Sequence, residues 1–188
     1  MKNKLYTIQE KGYAEKILKK GFMVPIDLCE DESLAQHLVN VGLEDPAILE
    51  IDVEGLSNTF QRACHDEDEL KDYMPEYTNY FTDSPIPASH ITKVDFADSS
   101  ELGSIIYSGM MAMKENVTSV GEMDEVTSGM RKCVNLGICS EEQFDAEIKT
   151  ISAMMKDGYF DERSDGDDFS KAVASISGQE DGLELPDR

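Results

Sequence analysis

The distribution of proline is the feature of this sequence that most constrains its fold. Five of the six prolines lie at or before Pro87, and none occurs from Ala88 to Leu185. Proline removes a backbone donor and breaks helix interiors, so a long proline-free segment can form continuous helices, whereas the earlier part needs short elements and turns. The sequence therefore predicts an α+β fold with a C-terminal helical part, divided near residues 95–101.

Five short segments of the first part are predicted to be strands. "AILEIDV" (47–53) is the clearest, because apolar and acidic side chains alternate along it after its first residues. "LYTI" (5–8) and "PIDL" (25–28) are short apolar segments, and "EYTNYFT" (76–82) and "HITKVDF" (90–96) are rich in β-branched and aromatic residues. Together they predict a sheet in the first half of the chain.

Helices are predicted between these strands and throughout the second part. In the first part, one helix should end at Gly21, and a second should begin at Ser33, which could form a capping box with Gln36. Ser140 and Gln143 repeat that capping pattern in the second part. Apolar residues at helical spacing predict the buried faces, namely Tyr13, Ala14, Ile17 and Leu18; Leu102, Ile105, Ile106, Met110 and Met113; Met123, Val126, Met130 and Cys133; and Phe144, Ile148, Ile151 and Met155.

These patterns predict three regions. Residues 1–97 should form an α+β domain and residues 98–160 a helical subdomain. Residues 161–188 are expected to form an acidic, mobile tail, because they are polar and lack a long apolar stripe. The methionine stripes of the second region are interpreted as core, with an adaptable partner-binding surface as the alternative.

The charge of the chain restricts its partners. There are 39 acidic and 17 basic residues, a formal net charge of −22, which disfavours direct binding to nucleic acid or to anionic membranes. No apolar run approaches the ~18 residues of a membrane-spanning helix, and no signal peptide is recognised, so a cytoplasmic location is expected. The four cysteines and three histidines lack metal-site spacing, which predicts buried thiols and no metal.

The order of elements resembles that of the ADP-ribosyltransferase and RNA 2′-phosphotransferase superfamily over residues 4–96. The similar motifs are "LYTI", "YAEKILKKG", "PIDLCED", "PAILEIDVEGL" and "IPASHITKV". The resemblance implies a bent, split, mixed β-sheet that clamps NAD in a cleft. It also implies transfer of ADP-ribose to a macromolecular target, with a glutamate stabilising the oxocarbenium-like state.

Four residues are implied to lie near the cofactor, and one to be catalytic. Tyr6, Thr7 and Gln9 correspond to the first-strand motif, with Thr7 at the usual histidine position; Cys29 stands where a serine or threonine is common on the second strand. The glutamate role falls to Glu76. Asp27 departs from the motif, and a carboxylate facing a pyrophosphate would repel it.

A non-catalytic function is the alternative. A net charge of −22 exceeds in magnitude the ~2 to 8 that solubility requires in a small domain. The sequence therefore also predicts an acidic binding protein that blocks a basic, nucleic-acid-binding partner protein. Its candidate partner-binding residues are Glu30, Asp31 and Glu32, and Asp66, Glu67, Asp68 and Glu69. Plain solubility remains the simplest interpretation of the charge.

Overall fold

The computed structural model describes residues 2–23, 26–62 and 79–156. The strands are β1 (Lys4–Glu10), β2 (Ile26–Cys29), β3 (Pro46–Asp52), β4 (Gln61–Arg62), β5 (Asn79–Thr82) and β6 (Ile91–Lys93). The helices are α1 (Lys11–Lys20), α2 (Leu34–Asn40), α3 (Ser100–Asn116), α4 (Val120–Asn135) and α5 (Glu141–Lys156). The predicted α+β class is confirmed.

The described strands form one sheet in the order β4-β5-β2-β1-β3-β6. Every pairing is antiparallel, so the predicted mixed sheet is wrong for these strands. The reason lies in the position of β1, which separates β2 from β3. These two strands run parallel to each other but are not neighbours, and a mixed sheet needs parallel neighbours.

The two faces of the sheet bury different cores. On one face, Leu5, Leu28 and Leu49 pack with Ala14 and Ile17 of α1. On the other face, α2, α3, α4 and α5 enclose a larger core that also contains strand residues of β1, β2 and β3. The sequence predicted one apolar face for β3, yet Ile48 is fully buried on the second, because the helical layer covers that side.

Two glycines allow the helices of the larger core to approach α2 closely. A Cβ at Gly109 of α3 would lie 2.7 Å from the Cβ of Ala35, and one at Gly129 of α4 would lie 2.8 Å from Cγ2 of Val39. Both distances are too short for carbon atoms in contact. The chain therefore packs α3 and α4 against α2 at positions without side chains.

Several local predictions are confirmed and two are wrong. The Ser140–Gln143 capping box forms, and Gly21 follows α1 with φ of 79°. The Ser33 box does not form, because a 3₁₀ turn at 31–33 already places Ser33 in helical geometry. Tyr13 was assigned to a buried stripe but is 42% exposed.

The core crosses the predicted boundary at residue 97. Met123, Met130 and Phe144 of the helical part share a cluster with Tyr6 and Ile48 of the sheet. Methionines at helical spacing are thus core residues, as predicted. The helical part and the sheet bury one another within the described residues.

Candidate ligand cleft in the sheet

The sheet opens between β1 and β2. β1 is paired with β3 along all seven of its residues, whereas it is paired with β2 only where Tyr6 faces Cys29. β2 is instead paired with β5 along its whole length. Residues 7–10 of β1 therefore have no ladder on the side of β2, and backbone groups directed to that side can bind a ligand.

A cavity of about 330 Å³ occupies this opening, within the range of small-molecule sites. The two strands form its sides. Tyr13 and Phe22 border it from the side of α1, and His37 and Val41 from the side of α2. The remaining lining residues described are Tyr6, Thr7, Ile8, Gln9, Ile26 and Asp27. We call this cavity the β1–β2 cleft.

Thr7 and Gln9 supply neutral hydrogen-bonding groups to the cleft. Thr7 is 6% exposed, and its hydroxyl accepts a hydrogen bond of 2.9 Å from Nε2 of Gln9. The hydroxyl retains a donor, and the amide retains an oxygen acceptor and a second N–H. Such groups can bind the hydroxyls of a ribose or the edge of a base.

Tyr6 is held at the cleft by an acidic neighbour. Its hydroxyl donates to Oε2 of Glu50 at 3.3 Å. Burial, and then the negative charge of Glu50, raise the pKa of Tyr6 above its ordinary value. Tyr6 therefore remains a neutral phenol at physiological pH.

Cys29 lies at the closed end of the cleft rather than along its lining. It faces Tyr6 in the strand register, is 1% exposed and packs in the larger core. Burial raises the pKa of its thiol above the ordinary value. It is a protonated core side chain that supports the strand junction.

The charge of the described lining limits what the cleft can hold. It contains the carboxylate of Asp27 and the imidazole of His37, but no lysine or arginine. The neutral polar groups of Thr7 and Gln9 and the exposed ring of Tyr13 can contact a ligand that carries hydroxyl groups and a planar ring. The two phosphates of a dinucleotide would have no cationic partner among these described residues.

The acidic residues assigned to a partner are only partly described. Lys2 Nζ lies 2.5 Å from Asp31 and 2.7 Å from Glu32, and Glu30 accepts from the backbone N–H of Lys2 and the hydroxyl of Tyr80. Residues 30–32 are therefore partly neutralised within the chain. Glu76 and the Asp66–Glu69 cluster lie outside the described residues.

The described ranges contain neither a metal-binding cluster nor a membrane-spanning helix. Within residues 2–23, 26–62 and 79–156, no group of three or more His, Cys, Asp or Glu side chains could hold a metal ion. None of the helices described there is both long and apolar enough to cross a membrane.

The sequence did not identify six of the cleft residues: Ile8 and Ile26 on the two strands, and Tyr13, Phe22, His37 and Val41 outside them. The positions of the last four depend on how α1 and α2 cross the ends of the opened strands, which no local pattern specifies. One sequence feature could have indicated that Tyr13 is exposed, since it follows a glycine at the polar start of α1.

In comparisons with known proteins, no family model, curated protein or solved structure matches this chain.

Proposed function

We propose that this chain is a divergent protein of the ADP-ribosyltransferase type, whose β1–β2 cleft holds the nucleoside part of NAD. One observation supports this proposal above all. Tyr6, Thr7 and Gln9 all line the opening of the sheet, although the motifs that selected them contain no information on strand pairing. A split between two strands is also the feature that the resemblance implies for the cofactor cleft.

The chemistry of the cleft supports binding more directly than transfer. Thr7 and Gln9 can bind ribose hydroxyls, and the exposed ring of Tyr13 offers an aromatic surface to a planar base. Transfer of ADP-ribose needs, in addition, a carboxylate beside the developing cation. The resemblance gives that role to Glu76, outside the described residues.

The experiment combines thermal stability with turnover. The full chain should melt at a higher temperature with NAD than without it, and should release nicotinamide when a macromolecular acceptor is supplied in a cell extract. Glu76→Gln should lower that release by a factor on the order of 10²–10³, as does removal of one transition-state-stabilising group elsewhere. The variant should keep the NAD-dependent stabilisation.

Each result has a distinct meaning. Stabilisation by NAD without nicotinamide release would retain the cleft as a binding site and remove the transferase activity. If NAD neither stabilises the protein nor is cleaved, the ADP-ribosyltransferase proposal fails.

The lack of a lysine or arginine in the described lining of the β1–β2 cleft supports a second candidate function. An NAD enzyme needs positive charge near the pyrophosphate, yet the described lining of the cleft provides none and adds Asp27. This favours a non-catalytic acidic protein that binds and blocks a basic partner protein. Capture of partners should then weaken between about 0.1 and 1 M salt, as the Debye length falls from ~10 to ~3 Å.

Charge reversal separates that function from plain solubility. Replacing Asp66, Glu67, Asp68 and Glu69 by lysine should abolish capture of the basic partner. Reversal at residues 30–32 should have a smaller effect, because Lys2 already neutralises part of that cluster. Capture that persists at high salt and in both variants would leave the acidity with no role in binding.

A further inference from the structure

A second cavity lies on the helical side of the sheet, between α4 and the segment 39–44 that leads from α2 towards β3. Its volume is about 900 Å³, within the range of pockets for small ligands. One wall is the segment 39–44 itself, which places the apolar side chains of Val39, Val41 and Leu43 beside Asn40, Gly42 and Glu44. We call this cavity the α2–α4 cavity.

The opposite wall is the polar face of α4. Met123, Val126 and Met130 bury one side of this helix in the core. Asp124, Ser128, Arg131 and Asn135 follow one another at spacings of three or four residues, which places them along one adjoining face. The cavity therefore has one wall with three apolar side chains and one wall of charged, hydroxyl and amide groups.

The two cations at the cavity have partners inside the protein, although Nε of Arg131 is buried without a hydrogen-bond partner within the described residues. Lys132 is 6% exposed, and its Nζ donates to the carbonyls of Leu38 at 2.8 Å and Val41 at 2.5 Å. Nη1 of Arg131 contacts both carboxylate oxygens of Glu141 at 2.7 Å. The guanidinium also lies 3.9 Å from the ring centre of Phe144.

The carboxylates at the cavity are not compensated. Within the described part of the chain, the side chains of Glu44, Asp124 and Glu125 make no hydrogen bond or ion pair. Oδ1 of Asp124 is buried without any partner. Burial also raises the pKa of Asp124 above its ordinary value. Asp124 as a whole is partly buried, and Glu44 and Glu125 are exposed. Three carboxylates without an ion pair make the potential in the cavity negative, which favours a ligand with positive charge.

We propose that the α2–α4 cavity binds an aliphatic ammonium ligand, with its charged end at Asp124 and its methylene groups against Val39, Val41 and Leu43. An organic cation fits better than a metal ion, because no described cluster has the three ligating side chains that a metal needs. The same chemistry could come from a free polyamine or from a lysine side chain of a partner protein. This proposal does not depend on the β1–β2 cleft.

Calorimetric titration of the full chain tests the proposal with two probes. Spermidine represents a free polyamine, and N-acetyl-lysine methylamide represents a lysine side chain with a neutral backbone. We expect one saturable site for at least one probe. Asp124→Asn keeps the shape of the side chain and should lower the affinity for that probe about tenfold or more, as expected for loss of a charge-assisted hydrogen bond.

Matched variants distinguish a site from general attraction to an acidic protein. Asp145→Asn makes the same charge change at an exposed position of α5 and should leave affinity unchanged. Glu44→Gln, on the other wall, should weaken binding as Asp124→Asn does. If only spermidine binds, the ligand is a free polyamine, and if the lysine analogue also binds, a partner's side chain fits. Absence of saturable binding, or equal weakening by Asp124→Asn and Asp145→Asn, would overturn the proposal.

Discussion

The β1–β2 cleft and the α2–α4 cavity arise in different ways. The cleft forms because two strands diverge after a single paired position, so unpaired backbone edges border it and most of its side chains are neutral. The cavity forms between packed helices and is bordered by five charged side chains. We propose a neutral nucleoside as the ligand of the first opening and an organic cation as the ligand of the second. Cleft and cavity therefore should respond to different substitutions and different ligands.

The largest expected effect concerns the α1 side of the cleft. A Cβ at Gly21 would lie 2.3 Å from the carbonyl oxygen of Ile86, at φ of +79°. Gly21→Ala should lower the free energy of unfolding by about 3 kcal/mol, from left-handed strain and overpacking together. Gly55 has the same φ but no atom within 4 Å of its Cβ position, so Gly55→Ala should cost about 1 kcal/mol.

Urea denaturation of both variants measures this difference. Equal losses at the two glycines would mean that α1 does not pack against residues 86–88 as described, and the α1 border of the cleft would have to be revised.

A smaller effect is expected from removing the negative charge at the β1–β2 cleft, which tests how charge distinguishes the two openings. Asp27 borders the cleft, and removing its charge in Asp27→Asn should strengthen NAD binding by about 1 kcal/mol, or about fivefold, at low salt. Adenosine has no phosphate, so its affinity should not change. Calorimetry with both ligands provides the comparison, and equal changes for NAD and adenosine would place the phosphates away from Asp27.

The smallest effect concerns stability at the cavity. Burial raises the folded-state pKa of Asp124 above its ordinary value of 3.8, so its ionised form penalises folding. That penalty is complete above the folded pKa and disappears as pH falls below about 3.8. Asp124→Asn should therefore be modestly more stable than the wild type at pH 7, with the gain lost in acid.

Urea denaturation across this pH range tests the sign, with Asp145→Asn as the exposed control. A less stable Asp124→Asn protein at neutral pH would indicate that the carboxylate has a structural partner, and it would weaken the case for a ligand site.

The sequence predicted those features that depend on local patterns. β1, β3 and the helices follow from apolar periodicity, and the Ser140 capping box follows from two residues of the same turn. The Ser33 box failed because a preceding 3₁₀ turn changed the backbone of Ser33. Local patterns cannot include such effects of neighbouring structure.

The same limit applies to the candidate sites: residues of one local motif could be identified from the sequence, whereas contacts between distant residues could not. Thr7 and Gln9 were identified through motifs on one strand, and both line the cleft. The partners of Lys132 could not be predicted, because its ammonium meets carbonyls 94 and 91 residues away. Asp124 was not identified from the sequence, because the burial of its Oδ1 depends on tertiary packing.

The most direct test of the proposed nucleoside site is an NMR titration of the ¹⁵N-labelled full chain with NAD. Amide shifts should be largest at Thr7, Gln9 and Asp27, which face the opening from its two strands. Residues along β3, such as Leu49 and Ile51, should change least, because their ladder with β1 is complete. No saturable shift, or the largest shifts along the α2–α4 cavity, would contradict the account.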